Sequence, residues 1–307
     1  MRFDKKIIFS TRQYSYLKEA ILAKGDYGRG EVEVKQFPDG ERYQRILSDI
    51  DERDVVLIGG TISDADTLEL YDLAYTLVSL GAQSLLLIIP YFGYSTMERA
   101  VKRGEIVTAK TRAFLLSSIP DTTLDNRVIL LDLHTEGLPY YFEGKTKAVH
   151  LYGKPIIIEA CRQLAGDDFI LASTDAGRAK WVESLANDMS IQGAFVFKRR
   201  IDAENTEIIS ISCDVQDRYV IIYDDMIRTG GSLVNAARAY KAAGAAKIAA
   251  VTTHGLFSKG GLQTIKNSGL FECVISTDSH PNAISLKDDF LQIKSIADLL
   301  LQEIDHH

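Results

Sequence analysis

Two adjacent carboxylates, Asp224 and Asp225, follow an apolar run in the stretch VIIYDDMIRTGG, and Arg228 separates them from a pair of glycines. The next residues, Thr229-Gly230-Gly231-Ser232, open a helix-like pattern. Glycines let the backbone turn tightly and leave amide N–H groups exposed at a helix N-terminus, where they hold phosphate. The hydroxyls of Thr229 and Ser232 add further donors. Carboxylates repel a phosphate, so the two acids address something else, hydroxyls or a metal. Vicinal hydroxyls beside a phosphate describe a ribose 5-phosphate. The plain alternative is a strand-to-helix turn with an aspartate near its N-cap.

Four further stretches carry chemical groups in suggestive places. FPDGE spans Phe37 to Glu41, DLH spans Asp132 to His134, Asp175 lies in ASTDAGRAK, and FKRR spans Phe197 to Arg200. Each has an ordinary reading when taken alone. FPDGE is a good β-turn, a lone histidine at a strand end is a hydrogen-bonded structural residue, and KRR is a solvated basic patch.

These groups must be positioned by regular elements, and short apolar runs rich in Val, Ile and Leu supply them. VVLIGG from Val55, SLLLIIP from Ser84 and RVILLDL from Arg127 lie in the first half. FILAST from Phe169, YVIIYDD from Tyr219, KIAAVTTH from Lys247 and FECVIST from Phe271 lie in the second. Continuous rather than alternating apolarity predicts strands covered on both faces, hence mostly parallel sheets. Helical patterns such as DTLELYDLAYTLVSLG and SLVNAARAYKAAG lie between them and end at Gly81 and Gly244, suited to C-terminal caps. Strand and helix alternate, so the class is α/β. The two halves echo each other, with Gly59, Gly60 and Thr61 standing where the second half carries its aspartates. The expected boundary falls near 148–154, where HLYGKP interrupts the pattern.

The chain has 307 residues and a formal net charge of -7, which excludes a broad nucleic-acid surface. Cys161, Cys213 and Cys273 have no metal-like spacing and suit a reducing compartment. MRFDKKIIFSTRQ lacks the apolar core of a signal peptide, and no apolar stretch approaches the roughly 20 residues of a membrane helix. The expectation is a soluble cytoplasmic protein with neither nucleic acid nor membrane as partner.

DDMIRTGGSL after an apolar strand resembles the phosphoribosyl-diphosphate (PRPP) loop of type I phosphoribosyltransferases and of PRPP synthetases (ribose-phosphate pyrophosphokinases). FPDGE, PYFGYS, TAK at Thr108 to Lys110, DLH, FKRR and THGLFSKG follow the synthetase pattern in order over essentially the whole chain. The resemblance implies two similar type I phosphoribosyltransferase-like domains, each a mostly parallel sheet flanked by helices. These are expected over 1–148, joined by the C-terminal segment 290–307, and over 149–289, which carries the ribose 5-phosphate loop. The implied activity is transfer of the diphosphoryl group of ATP to the 1-hydroxyl of ribose 5-phosphate, giving PRPP and AMP. The resemblance assigns catalysis to Lys198 and Arg200, from a mobile loop, and to His134. It assigns ribose 5-phosphate binding to Asp224, Asp225, Arg228, Thr229, Gly230, Gly231 and Ser232, and ATP binding to Phe37, Asp39, Glu41 and Arg99. Mg2+ is the implied cofactor, at His134 and Asp175, although a histidine ligand is unusual for a cation that prefers oxygen. Self-association as a dimer or hexamer is also implied, with the FPDGE loop serving an ATP site across a subunit interface.

The chain departs from the family pattern at several points. Thr96-Met97-Glu98-Arg99 stands where the family has Arg-Gln-Asp-Arg, and GEIVTAK stands for REPITAK. TEGLPYYF replaces a glutamine-containing segment after His134, Arg178 replaces a glycine, and Arg228 replaces an acid. A catalytically silent, PRPP-binding or regulatory relative is therefore a second expectation, and a phosphoribosyltransferase that consumes PRPP is a third. Retention of His134, Asp175, Lys198, Arg200, Asp224 and Asp225 together favours an active synthetase.

Overall fold

The computed structural model describes residues 5–175, 177, 179–200 and 206–307; the side chains of 198–200 and 206–209 lie outside the described set. The chain forms two compact units, one running to Tyr152 and rejoined by Ala297–His307, the other spanning Gly153–Ile296. Among the described residues, each unit is built on a six-stranded sheet, paired in parallel throughout, with a separate two-stranded antiparallel hairpin.

In the first unit the strands are β1 (Ile7–Ser10), β2 (Gly28–Arg29), β3 (Val32–Gln36), β4 (Arg42–Ile46), β5 (Asp54–Ile58), β6 (Ser84–Ile89), β7 (Asn126–Leu131) and β8 (Lys147–Leu151). The helices are α1 (Ser15–Leu22), α2 (Asp64–Ser79) and α3 (Thr108–Ser117). The sheet order is β2-β1-β5-β6-β7-β8, while β3 and β4 form the hairpin. Leu85 to Ile89 of β6 are all buried, as expected for a strand covered on both faces. Leu70, Leu73 and Leu77 of α2 pack against Val55, Leu57, Leu85 and Leu87 of the sheet in one core. Ser63 caps α2 by accepting the Asp66 amide (3.2 Å), and Gly81 follows its end at φ 94°.

The second unit contains α4 (Lys154–Ala165), β9 (Ile170–Ser173), α5 (Ala179–Met189), β10 (Gln192–Ala194), β11 (Val196–Arg200), β12 (Thr206–Ile211) and β13 (Tyr219–Ile227). It continues with α6 (Gly231–Ala242), β14 (Lys247–Gly255), α7 (Gly261–Asn267), β15 (Val274–Thr277), α8 (Pro281–Ser285) and β16 (Leu291–Lys294). Its sheet order is β10-β9-β13-β14-β15-β16. Side-chain alternation divides the core between the two faces. Ile221, Val251 and Ile275 face Ile157 of α4 and Leu185 of α5, whereas Ile222, Ala250 and Val274 face Ala236 and Tyr240 of α6. After β16 the chain leaves the sheet, and α9 (Ala297–His306) returns to the first unit.

Candidate active site

In the second unit, β13 does not stop at the aspartates. It runs on to Ile227, because β14 is equally long and pairs Met226 with His254 and Ile227 with Gly255. Asp224 and Asp225 therefore sit inside the last part of a strand, where neighbouring residues project to opposite faces. Asp224 is half-buried and its Oδ2 accepts from Thr174 Oγ1 (3.2 Å), whereas Asp225 is only 3% exposed. Asp175 follows the adjacent strand β9 and folds into a local turn. Its Oδ1 accepts the Gly177 amide (2.9 Å) and its carbonyl accepts Ser173 Oγ (2.7 Å). Strands β9 and β13 thus bring Asp175, Thr174 and Asp224 to one end of the sheet. Arg178 lies outside the described residues.

Beyond Ile227 the chain turns through exposed Arg228 and Thr229 to Gly230, which is left-handed at φ 78°. No side chain caps the α6 N-terminus and its first turn contains no acid. The first-turn amides and the helix dipole favour an anion there, and the Thr229 and Ser232 hydroxyls, both on exposed residues, flank them. The THGLFSKG segment supports this loop from behind. Leu256 and Phe257 amides both donate to Ile227 O (3.0 and 2.9 Å). A Cβ on Gly261 would lie 2.2 Å from Arg228 O, and one on Gly230 would lie 2.9 Å from Gly261 O. Gly230 and Gly261, distant in sequence, let two backbones touch.

Lys198 and Arg200, expected on a loop, belong to β11 of the β11–β12 hairpin, where Lys198 pairs with Ile208 and Arg200 with Thr206. The apolar stretch ending in Phe197 continues as strand because β12 offers it a partner, with an irregular register between Phe197 and Lys198. Their side chains, and residues 201–205 between the strands, lie outside the described residues.

In the first unit, DLH caps the end of β7. Asp132 is 5% exposed and left-handed (φ 37°), with its amide donating to Leu151 O (2.9 Å). Leu133, between the two functional candidates, donates its amide to His150 Nε2 (3.0 Å). The His150 ring lies over Tyr152 with centroids 4.1 Å apart. His134 itself is half-buried. His150 was not singled out in the sequence, where HLYGKP reads as a break; only a polar residue facing β7 from its neighbour hinted at it.

FPDGE forms the tip of the β3–β4 hairpin. Gly40 donates to Phe37 O (2.9 Å) and is left-handed at φ 96°, Phe37 donates to Glu41 O (2.8 Å), and Asp39 Oδ1 accepts the Glu41 amide (3.1 Å). Proline second and glycine fourth suit that turn. Phe37, 48% exposed, meets Tyr43 edge-on at 6.2 Å. Arg99 is exposed, 3.5 Å from Glu98, in a segment tied by Tyr141 Oη to Glu98 O (2.6 Å). Met97, in the divergent stretch, is 41% exposed.

The first-unit counterpart of the phosphate loop is filled by packing. A Cβ on Gly60 would lie 2.3 Å from Tyr14 Oη, and Thr61 Oγ1 accepts the Gly93 amide (2.7 Å). Asp64 and Asp66 occupy the first turn of α2 and oppose an anion.

Among the described residues, no group of three or more His, Cys, Asp or Glu side chains could hold a metal ion. The acids near the sheet end, Asp175 and Asp224, supply oxygen donors without a closed cage. Such a set fits Mg2+, which binds through one or two carboxylates together with substrate phosphates.

Residues 6–119 match the family described as the N-terminal domain of ribose phosphate pyrophosphokinase, and residues 178–304 match the phosphoribosyl synthetase-associated domain. A ribose-phosphate pyrophosphokinase of Fusobacterium nucleatum is 30% identical over 99% of this chain and 96% of its own length. The chain belongs to the ribose-phosphate pyrophosphokinase family. A ribose-phosphate pyrophosphokinase of Parasynechococcus marenigrum is 32% identical over 97% of this chain and 89% of its own, and one of Thermococcus kodakarensis is 31% identical over 86% and 92%. The crystal structure of phosphoribosylpyrophosphate synthetase from Mycobacterium smegmatis superposes with a TM-score of 0.87 over 98% of both chains at 22% identity, which establishes the shared fold. Within this pyrophosphokinase family, the matched stretches include FPDGE, Arg99 and the DDMIRTGGS loop, whereas His134 and Asp175 fall between them.

Proposed function

We propose that this protein is a ribose-phosphate diphosphokinase. The 1-hydroxyl oxygen of ribose 5-phosphate attacks the β-phosphorus of ATP, the bond from that phosphorus to the α–β bridging oxygen breaks, AMP leaves, and the hydroxyl proton is released. The observation that carries this reading is the uncapped, acid-free N-terminus of α6 beside the acid-bearing end of β13. It offers an anion seat next to hydroxyl acceptors. Full-length relatives bearing the pyrophosphokinase name support it further.

In this reading Gly230, Gly231, Thr229 and Ser232 hold the 5-phosphate and Arg228 adds positive charge beside it. Asp224 and Asp225 serve the ribose hydroxyls, with half-buried Asp224 the nearer to solvent. Phe37 stacks on adenine while Asp39 and Glu41 accept from its amine or ribose, and Arg99 meets the triphosphate. Lys198 and Arg200 act on the transferring group, where accumulating negative charge calls for cations and positioning. Mg2+ would supply charge neutralisation for the triphosphate, with Asp175 in the second unit and His134 in the first each proposed to hold an ion. The exposed hairpin tip suits an ATP site completed by a second copy, so a dimer or hexamer is part of the proposal. We assign the protein to the cytoplasm, where unpaired thiols such as Cys161 and Cys273 persist.

Phosphorus NMR of the purified protein with ribose 5-phosphate, ATP and Mg2+ tests the proposal. AMP and PRPP should appear together. PRPP binding without turnover of any triphosphate would identify a silent relative, a reading favoured by exposed Met97 where the family carries a glutamine donor. Consumption of PRPP with a free base would identify a transferase.

A further inference from the structure

Glu69, in the second turn of α2, is 6% exposed, and glutamate is rarely buried unless its charge is met. Its Oε1 accepts the Arg12 amide (3.2 Å) at the end of β1 and Gln44 Nε2 (3.3 Å). Its Oε2 lies 3.6 Å from Arg42 Nη1. Arg42 and Gln44 are two residues apart on β4 and share one face of the hairpin. Opposite them on β3 stand Gln36 and Val34. At the base of the hairpin Val32 and Ile46 pack against the core. Toward the tip the polar side chains of Gln44 and then Arg42 take over, and both reach the same carboxylate. Arg42 also lies 3.5 Å from both Ala65 O and Asp72 Oδ2. The pair that ends the β4 side of the turn is therefore tied to α2 from the residue after Glu41 onward.

We infer that Glu69 is a positioning residue for ATP: its buried carboxylate, through Arg42 and Gln44, fixes the hairpin whose tip carries Phe37, Asp39 and Glu41. This rests on the reading above in which that tip serves ATP. A two-stranded hairpin is marginal by itself, so an adenine-stacking ring at its tip is worth most when the stem is held before ligand arrives. The charge matters as well as the shape. A carboxylate accepts from the Arg12 and Gln44 amides at once while its charge meets the Arg42 guanidinium, whereas an amide presents a donor to one of those amides and no charge to Arg42.

Glu69→Gln in the full-length protein keeps the volume and removes the charge. Hydrogen exchange without substrates should become faster over 32–46 and stay unchanged in β5, β6 and β7. The KM for ATP should rise roughly three- to tenfold with kcat and the KM for ribose 5-phosphate unchanged, the split expected of a group that shapes a binding surface. Arg42→Met should give the same pattern, and the double variant should be no worse than either single one, as coupled partners require. Unchanged exchange over 32–46, or equal rises in both KM values, would overturn the assignment. Equilibrium binding of a non-hydrolysable ATP analogue separates the two readings. Weaker analogue binding by Glu69→Gln in a protein without turnover keeps the inference and removes the proposed activity; a wild-type protein that does not bind the analogue removes both.

Discussion

Asp224 and Asp225 are neighbours in sequence and differ in what surrounds them. The alternation of β13 leaves Asp224 half-buried against Thr174 and puts Asp225 at 3% exposure. The acids and the TGGS run were legible beforehand, since few residue types supply hydroxyl acceptors and a bare helix N-terminus. Glu69 and His150 were not, because each acts through partners distant in the chain: Arg12 and Gln44 for the first, Leu133 for the second. Lys198→Ala should abolish turnover and leave ribose 5-phosphate affinity nearly intact, as expected of a cation needed mainly in the transition state. Equal loss in a direct binding titration would refute that role. A second residue-level consequence concerns acid stability. His280 is 4% exposed and caps α8, its Nδ1 accepting the Asn282 amide (3.2 Å). Burial, with nearby His254 adding to it, pulls its imidazole from 6.5 down to about 4. The unfolded chain therefore binds more protons than the folded one between these values. The contribution is complete above about pH 6.5 and is lost as the pH falls toward about 4, by up to roughly 3 kcal/mol. His280→Asn keeps an N-cap acceptor and should flatten this part of the acid limb in urea midpoints compared between pH 7 and pH 5. An unaltered slope would show that other groups set it.

Among the elements, the βα turns were the most readable and the strand ends the least. Continuous apolar runs announce strands buried on both faces, yet the end of β13 depends on the length of β14, which local sequence does not reveal. For the same reason KRR read as loop and folds as β11: pairing with β12 is a long-range fact. FPDGE, by contrast, contains its own geometry in Pro38 and Gly40. The crossing of the Arg228–Gly230 turn over Gly261 was hidden, since glycines in SKGG carry no mark of which backbone approaches them. That crossing predicts a selective defect. Gly261→Ala places a Cβ 2.2 Å from Arg228 O, a backbone atom that moves only if the phosphate turn moves. The KM for ribose 5-phosphate should rise about tenfold or more while the KM for ATP stays within about twofold, since the altered contact shapes one substrate's seat. Steady-state kinetics with each substrate varied in turn reads the difference, and a variant in which both constants move together would count against a local cause.

At the scale of the whole chain, the internal echo between halves was visible as repeated strand, glycine turn, helix and strand, and it reappears as two parallel sheets of equal strand number among the described residues. The point where the chain leaves the second unit, after Ile296, has no glycine, proline or polar linker to mark it, because β16 and α9 follow each other within a few residues. Helix α9 is part of the first unit's core, with Leu300 and Ile304 fully buried and Leu299 9% exposed. It is fastened to the N-terminal region by Lys24 to Asp298 (2.5 Å), Tyr27 Oη to Asp305 Oδ1 (2.6 Å) and Lys6 to Ile304 O. Burial of three such aliphatic side chains contributes on the order of 5 kcal/mol or more, a large share of the stability typical of one domain. The exposed ion pairs add little. Truncation after Ile296 should therefore destabilise the first unit selectively. Hydrogen exchange should show β1, α1 and β5 losing protection while β13, β14 and β15 keep theirs, since no residue of α9 belongs to the second unit. Uniform loss of protection in both sheets would mean that the units unfold as one, and unchanged protection in α1 would mean that the tail is dispensable to the core it completes.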